Sequence, residues 1–166
     1  MKIRIVLGAV AIVMLAAACG GSSAPAASQG TASTTTPAAS ASCHQQYETW
    51  KHGPANAIAK KLEASLRDVE RAGNAEDLTL LTSSLKKTGA TARKLKAHPI
   101  PHCADPHGYW AKILDRIRTA GDNATSGGGG LSSLLLALAP LKSVPALEGK
   151  LAAELKKTAG VTQTHI

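Results

Sequence analysis

Phenylalanine is absent from this 166-residue chain, and two Trp and two Tyr are its only aromatic rings. A core made from it has to be filled by Leu, Ile, Val and Ala, with the rings confined to a few places. Acidic residues are scarce, 11 against 19 basic ones, for a formal charge of +8 at pH 7. Most of the acids stand among lysines at helical spacing, so no carboxylate pair is set apart for acid–base chemistry. No Gly-x-Ser-x-Gly elbow and no His-Glu-x-x-His pair occurs, and no Gly-Lys-Ser/Thr follows the glycine run at 127–130. Sustained alternation of apolar and polar residues is missing too, which excludes a sheet-based fold. These absences leave a non-enzymatic, all-α protein without a cofactor as the expectation.

The first nineteen residues are the most directive stretch present. Lys2 and Arg4 precede an apolar run over residues 5–18, and small residues Ala16-Ala17-Ala18 lead into Cys19. The run falls short of the ~20 residues that span a bilayer, so residues 1–18 are expected to be a removable export signal. The segment Leu15-Ala16-Ala17-Ala18-Cys19 resembles the lipobox of bacterial lipoproteins, with Ala16 where Leu is commonest. That resemblance implies lipidation of Cys19, cleavage before it, and a chain held on the outer face of the cell membrane. An ordinary export signal cut after Ala18 is the competing reading. Residues 20–42 contain almost only Gly, Ser, Ala, Thr, Pro and Gln, without charge or ring. Such a composition cannot bury enough apolar surface to offset its ordering entropy. Residues 19–42 are therefore expected to form a lipidated, disordered tether with a reach of about 25–30 Å, of a composition that also suits O-glycosylation.

Loss of the signal removes two bases and no acid, so the mature chain stays basic. For an exported protein the counter-charges are anionic headgroups and envelope polymers rather than nucleic acid. The bases do not cluster into a nucleic-acid footprint; they recur as Lys60-Lys61, Lys86-Lys87, Arg93-Lys94-Lys96 and Lys156-Lys157 between apolar positions.

Residues 43–160 are long enough for one modest domain, with 161–166 as a polar tail. Ile58, Leu62, Leu66 and Val69 recur three and four apart within 54–72, as do Leu78, Leu81, Leu85, Thr88, Ala92 and Leu95 in the next segment. Asn74 is the expected cap of that second helix and Pro99 its stop. A third helix is expected to start at Asp105-Pro106, to bury Trp110, Ile113, Leu114 and Ile117, and to end at Gly121. The Gly127-Gly128-Gly129-Gly130 run, expected to be a hinge, separates the apolar 131–138 piece from a last helix near Pro145 that turns Leu147, Leu151 and Leu155 inward. Surface pairs are expected at Lys60–Glu63 and Asp68–Arg71. An antiparallel bundle of four to five helices buries these stripes.

With Cys19 acylated, Cys43 and Cys103 remain in an oxidising compartment and are expected to form a disulfide across about 60 residues. Tyr47 and Trp50 follow the first cysteine as Tyr109 and Trp110 follow the second, so all four rings gather near the bridge. They form an aromatic core there, or a ligand pocket lined by Trp50 and Trp110. The bridge also gathers five of the six histidines. His44, His102 and His107, with Asp105, are the candidate ligands for Zn²⁺ or Cu²⁺, although Pro99 and Pro101 keep His98 and His102 off a shared helix face. Asn123-Ala124-Thr125 matches an N-glycosylation acceptor that a bacterial lipoprotein does not normally use.

The segment Pro101-His102-Cys103-Ala104-Asp105-Pro106-His107-Gly108-Tyr109-Trp110, with the lipobox and the Ala-rich composition, is similar to small lipoproteins of high-GC actinobacteria. The resemblance implies an outer-face, membrane-anchored helical module and carries over no catalytic residue; the role expected of that module is to bind an envelope protein or polymer. A metal-handling lipoprotein and a carrier of apolar ligands, using Trp50, Trp110 and residues 131–138, are the alternatives.

Overall fold

The computed structural model describes residues 42–127 and 130–161. The signal at 1–18 with Cys19, the tether up to residue 41, Gly128, Gly129 and residues 162–166 lie outside the described residues. Within them the chain is all-α, with six helices: α1 (Cys43–His52), α2 (Pro54–Asn74), α3 (Leu78–Lys96), α4 (Tyr109–Ser126), α5 (Leu131–Leu138) and α6 (Val144–Ala159). A short 3-10 turn, Ala139–Ser143, links the last two. No strand occurs among the described residues.

Local chemistry accounts for each start. Ser42 and Gln45 form a capping box, the Gln45 amide donating to Ser42 Oγ and the Ser42 amide to Gln45 Oε1. Gly53 breaks the chain and Pro54 opens α2 at a position where a missing N–H costs nothing. Asp77, not Asn74, caps α3: its carboxylate accepts from the Leu80 amide at 2.8 Å, while Asn74 completes the last turn of α2. The expected start at Asp105-Pro106 is also displaced, because α4 begins at Tyr109 after Gly108, whose φ of 64° is left-handed. Asp105 still serves that helix. Its buried carboxylate reaches forward to accept from the amides of Tyr109 and Trp110, both at 2.8 Å, placing negative charge on the positive end of α4.

The α2, α3 and α4 helices pack side by side, and α5, the 3-10 turn and α6 run back along α4 while α1 closes the open end. Leu62, Leu66, Val69, Leu81, Leu85, Ala92, Leu95, Ile113, Leu114 and Ile117 form the buried seam that their periodicity announces. Ile58, Leu147 and Leu155 pack at its margin, and Leu151 is buried. Leu78 departs from the pattern, remaining 39% exposed. Of the two expected surface pairs, Asp68–Arg71 forms at 3.3 Å, whereas Glu63 takes Arg67 one turn on instead of Lys60.

Gly121 does not end α4. It is buried in mid-helix where α3 and α4 come closest, and the helix continues to Ser126. A Cβ built on Gly121 would lie 2.7 Å from Gly89 Cα and 2.8 Å from the Leu85 carbonyl oxygen, so the two backbones meet with no side chain between them. By length and composition alone Leu131–Ala159 could cross a membrane. In the fold it is divided by the Pro140 turn, and Leu134, Ala137, Leu141, Val144 and Leu151 are buried against the rest of the bundle.

Desolvation leaves one titration mark on α6: burial pushes the Glu148 carboxyl from 4.5 up to about 7. The folded chain then binds this proton more tightly than the unfolded one, so stability falls as pH rises from about 4.5 to about 7. Glu148→Gln is expected to raise Tm at about pH 8 and to change it little at about pH 5. Thermal melts at the two pH values check this, and an equal shift at both would contradict it.

Candidate functional site

The bundle has two chemically different ends, separated by the length of α4, about 27 Å for its 18 residues. At one end Cys43 in α1 and Cys103 in the segment before α4 form the disulfide, with Cα atoms 5.7 Å apart. Tyr47 stacks on Trp50 at 5.8 Å between centroids, and Trp50 meets Trp110 edge-on at 6.0 Å. The Trp50 indole donates to the His98 carbonyl at 2.9 Å, and Trp110 is 7% exposed. These rings fill space between elements, as an aromatic core beside a bridge does.

The histidines expected to share a metal have separate partners. His44 Nδ1 sits 2.7 Å from the Ala159 carbonyl, tying α1 to the end of α6, while His107 stacks on Tyr109 and bonds the Glu154 carboxylate. His52 pairs with Glu48 at 3.3 Å and His102 is exposed. Among the described residues no three His, Cys, Asp or Glu side chains converge as a metal-binding set, and Asp105 is committed to the α4 amides. Nothing in this geometry favours the Zn²⁺ or Cu²⁺ reading.

The opposite end carries an apolar groove of about 220 Å³. Gly73 and Glu76 of the α2–α3 corner, Leu78 and Leu81 of α3, and Leu131, Leu134, Leu135 and Leu138 of α5 line it. Three of these leucines keep large exposed fractions: Leu78 39%, Leu131 47% and Leu135 53%; Leu80 at 45% and Leu136 at 67% flank them. Burial of one such side chain typically contributes about 1.5–3 kcal/mol, a gain these positions forgo in the isolated chain. The reason is local. Leu131, Leu134, Leu135 and Leu138 share one broad face of α5 with Leu136 apart from it, and the helix buries Leu134 and Ala137 instead of the centre of that face, which leaves Leu131, Leu135 and Leu136 facing water. Glu76 stands at the groove with φ 54°, the positive-φ non-glycine residue of the described chain, and Asp77 beside it is exposed. A bulky residue in this region costs about 1–2 kcal/mol over glycine. The sequence marks this site weakly, since nothing in the 131–138 pattern says which leucines the bundle leaves uncovered.

The rings and the leucines therefore do not make one pocket. Trp110 belongs to the first turn of α4, whereas α5 starts beyond its last turn, so a carrier cavity lined by Trp50, Trp110 and residues 131–138 together does not form.

Fold and site define a small disulfide-pinned all-α module with a leucine groove at one end. No family model matches the chain, nor does any curated protein or any solved structure.

Proposed function

We propose that this chain is an extracytoplasmic lipoprotein, anchored through Cys19, that works as a non-enzymatic binding module and uses its leucine groove to hold an apolar, basic segment of another envelope protein. The observation carrying this reading is the group of exposed leucines around a groove in an otherwise well-packed bundle. Uncovered apolar patches of this kind are characteristic of interaction surfaces. Glu76 and Asp77 at the rim favour a partner whose leucine-like anchors are flanked by Lys or Arg. The groove has room for one or two leucine-sized side chains, which suits a helix laid across it.

The test has two arms in intact cells. Cys19→Ala is expected to release the protein from the membrane fraction. A photo-crosslinking residue at Leu135 is expected to give one protein adduct, mapped to an apolar segment with flanking bases and lost on Leu131→Asp, while the same label at Lys86 gives none. Unchanged membrane fractionation would overturn the anchor. Adducts to lipid, or none at Leu135, would overturn the groove.

A further inference from the structure

The charges of the bundle are unevenly placed along its length. In the half holding the groove, Arg67, Arg71, Lys86, Lys87 and Arg118 stand among Asp68, Glu70, Glu76, Asp77 and Asp122, and signs balance. Asp68 alone takes both Arg71 and Lys87. The disulfide half holds the excess of bases: Asp115, 42% exposed, is taken by Lys96 and Arg118, Glu48 is taken by Lys51 and His52, and two further acids are withdrawn from the surface. Asp105 is 5% exposed beneath the α4 amides, and the Glu154 side chain, 11% exposed, is held by His107. On the same side Lys156 and Lys157 in the last turn of α6 are exposed and make no ion pair among the described residues. Lys112 and Lys150 reach the Tyr109 ring, with ammonium groups 5.2 and 6.0 Å from its centroid. The chain enters the bundle here as well, because His44, two residues after Ser42, is bonded to Ala159 at the end of α6.

We infer that this end of the bundle, with Lys112 and Lys150 at the Tyr109 ring and Lys156 and Lys157 exposed in the last turn of α6, docks the domain on an anionic lipid bilayer. Lysines at a helix C-terminus also complement the helix dipole, Lys112 donates to the His107 carbonyl at 3.0 Å, and Asp105 caps α4, but none of these roles accounts for the excess of bases gathered at one end of the bundle. A half-buried tyrosine between two ammonium groups has the amphipathic character of side chains that sit at headgroup level. Bilayer is favoured over a soluble polymer because the face lies where the segment leading back to Cys19 joins the fold. Contact at this end turns the leucine groove away from the membrane, toward a partner. The inference takes the choice of membrane from the proposed anchor, while the charge asymmetry stands without it.

The test uses the exported full chain carrying Cys19→Ala, so that no acyl group contributes, with vesicles of phosphatidylglycerol and phosphatidylcholine or of phosphatidylcholine alone. Sedimentation is expected to show binding to the anionic vesicles only, weakened by salt. Each basic residue at such a surface is worth about a fivefold change, so Lys156→Gln with Lys157→Gln should lower affinity about 30-fold. Lys86→Gln with Lys87→Gln removes the same charge from the other half and should lower it less than about 3-fold. Equal losses from the two pairs would reduce the effect to net charge and overturn a docking face. Binding to polyphosphate with none to vesicles would assign the face to a polymer and overturn the bilayer. A chain found unlipidated in cells would defeat the anchor without altering these vesicle results.

Discussion

Cys43→Ala combined with Cys103→Ala is expected to lower the unfolding free energy by about 4 kcal/mol, on the chain-entropy account of a loop of 60 residues. In a domain of this size that is roughly 10–20 °C in Tm. The loss should begin at α1. That helix has ten residues and buries Tyr47 and Lys51 alone, too little for it to persist unaided. The bridge holds it over Trp110, so its removal should also disperse the ring stack and be visible in near-UV circular dichroism. Melts of the double variant, and of the parent with reductant, check the size of the effect. A loss below about 1 kcal/mol would mean that the bridge constrains little, contrary to the chain-entropy account.

Gly121→Ala is the second large effect expected, and its sign runs against helix propensity. Elsewhere in a helix Ala is better than Gly by about 0.5–1 kcal/mol. At Gly121 the added methyl would meet the backbones of Gly89 and Leu85 at 2.7 and 2.8 Å, and neither can rotate away as a side chain could. The α3 and α4 helices must then separate, disturbing the largest helix–helix contact of the bundle. Overpacking of this kind costs about 1–3 kcal/mol, and a contact against backbone falls at the upper end. Gly149 is the internal control: a Cβ there meets nothing within 4 Å, so Gly149→Ala should stabilise by about 0.5–1 kcal/mol. Denaturant midpoints of the two variants should move in opposite directions. Stabilisation by both would show that the close crossing does not exist.

The same glycine shows why reading the sequence reached the fold more fully than the site. Helical periodicity identifies α2, α3, α4 and α6 because each buries one continuous stripe, and it says nothing of what a glycine in that stripe is for. Gly121 fits a helix end and a backbone crossing equally well until the position of Gly89 is known. Caps failed for a related reason: Asn74 and Asp77 are both good capping residues, and Asp105 caps from beyond an intervening left-handed Gly108. The α1 helix did carry a legible signal in Ser42-Cys43-His44-Gln45, a capping box followed by Gly53-Pro54. The disulfide was legible because setting Cys19 aside with the expected export signal leaves Cys43 and Cys103 as one pair. The groove and the basic face were not, since each is assembled from separate helices: Leu78 and Leu135 become neighbours, and Lys112 and Lys150 reach the same ring, only through packing.

Together these features give the domain a polarity. A basic, disulfide-bridged, ring-filled end receives the chain from the proposed anchor, and a leucine groove with an acidic rim lies a helix length away. The proposed binding role depends on that polarity having a membrane to refer to. The most direct measurement is the intact mass of protein extracted from its native membrane, with non-reducing peptide mapping. The account predicts a chain beginning at Cys19 with a lipid adduct on that residue and a Cys43–Cys103 linked peptide. A chain that begins elsewhere, or carries Cys19 unmodified, would contradict it.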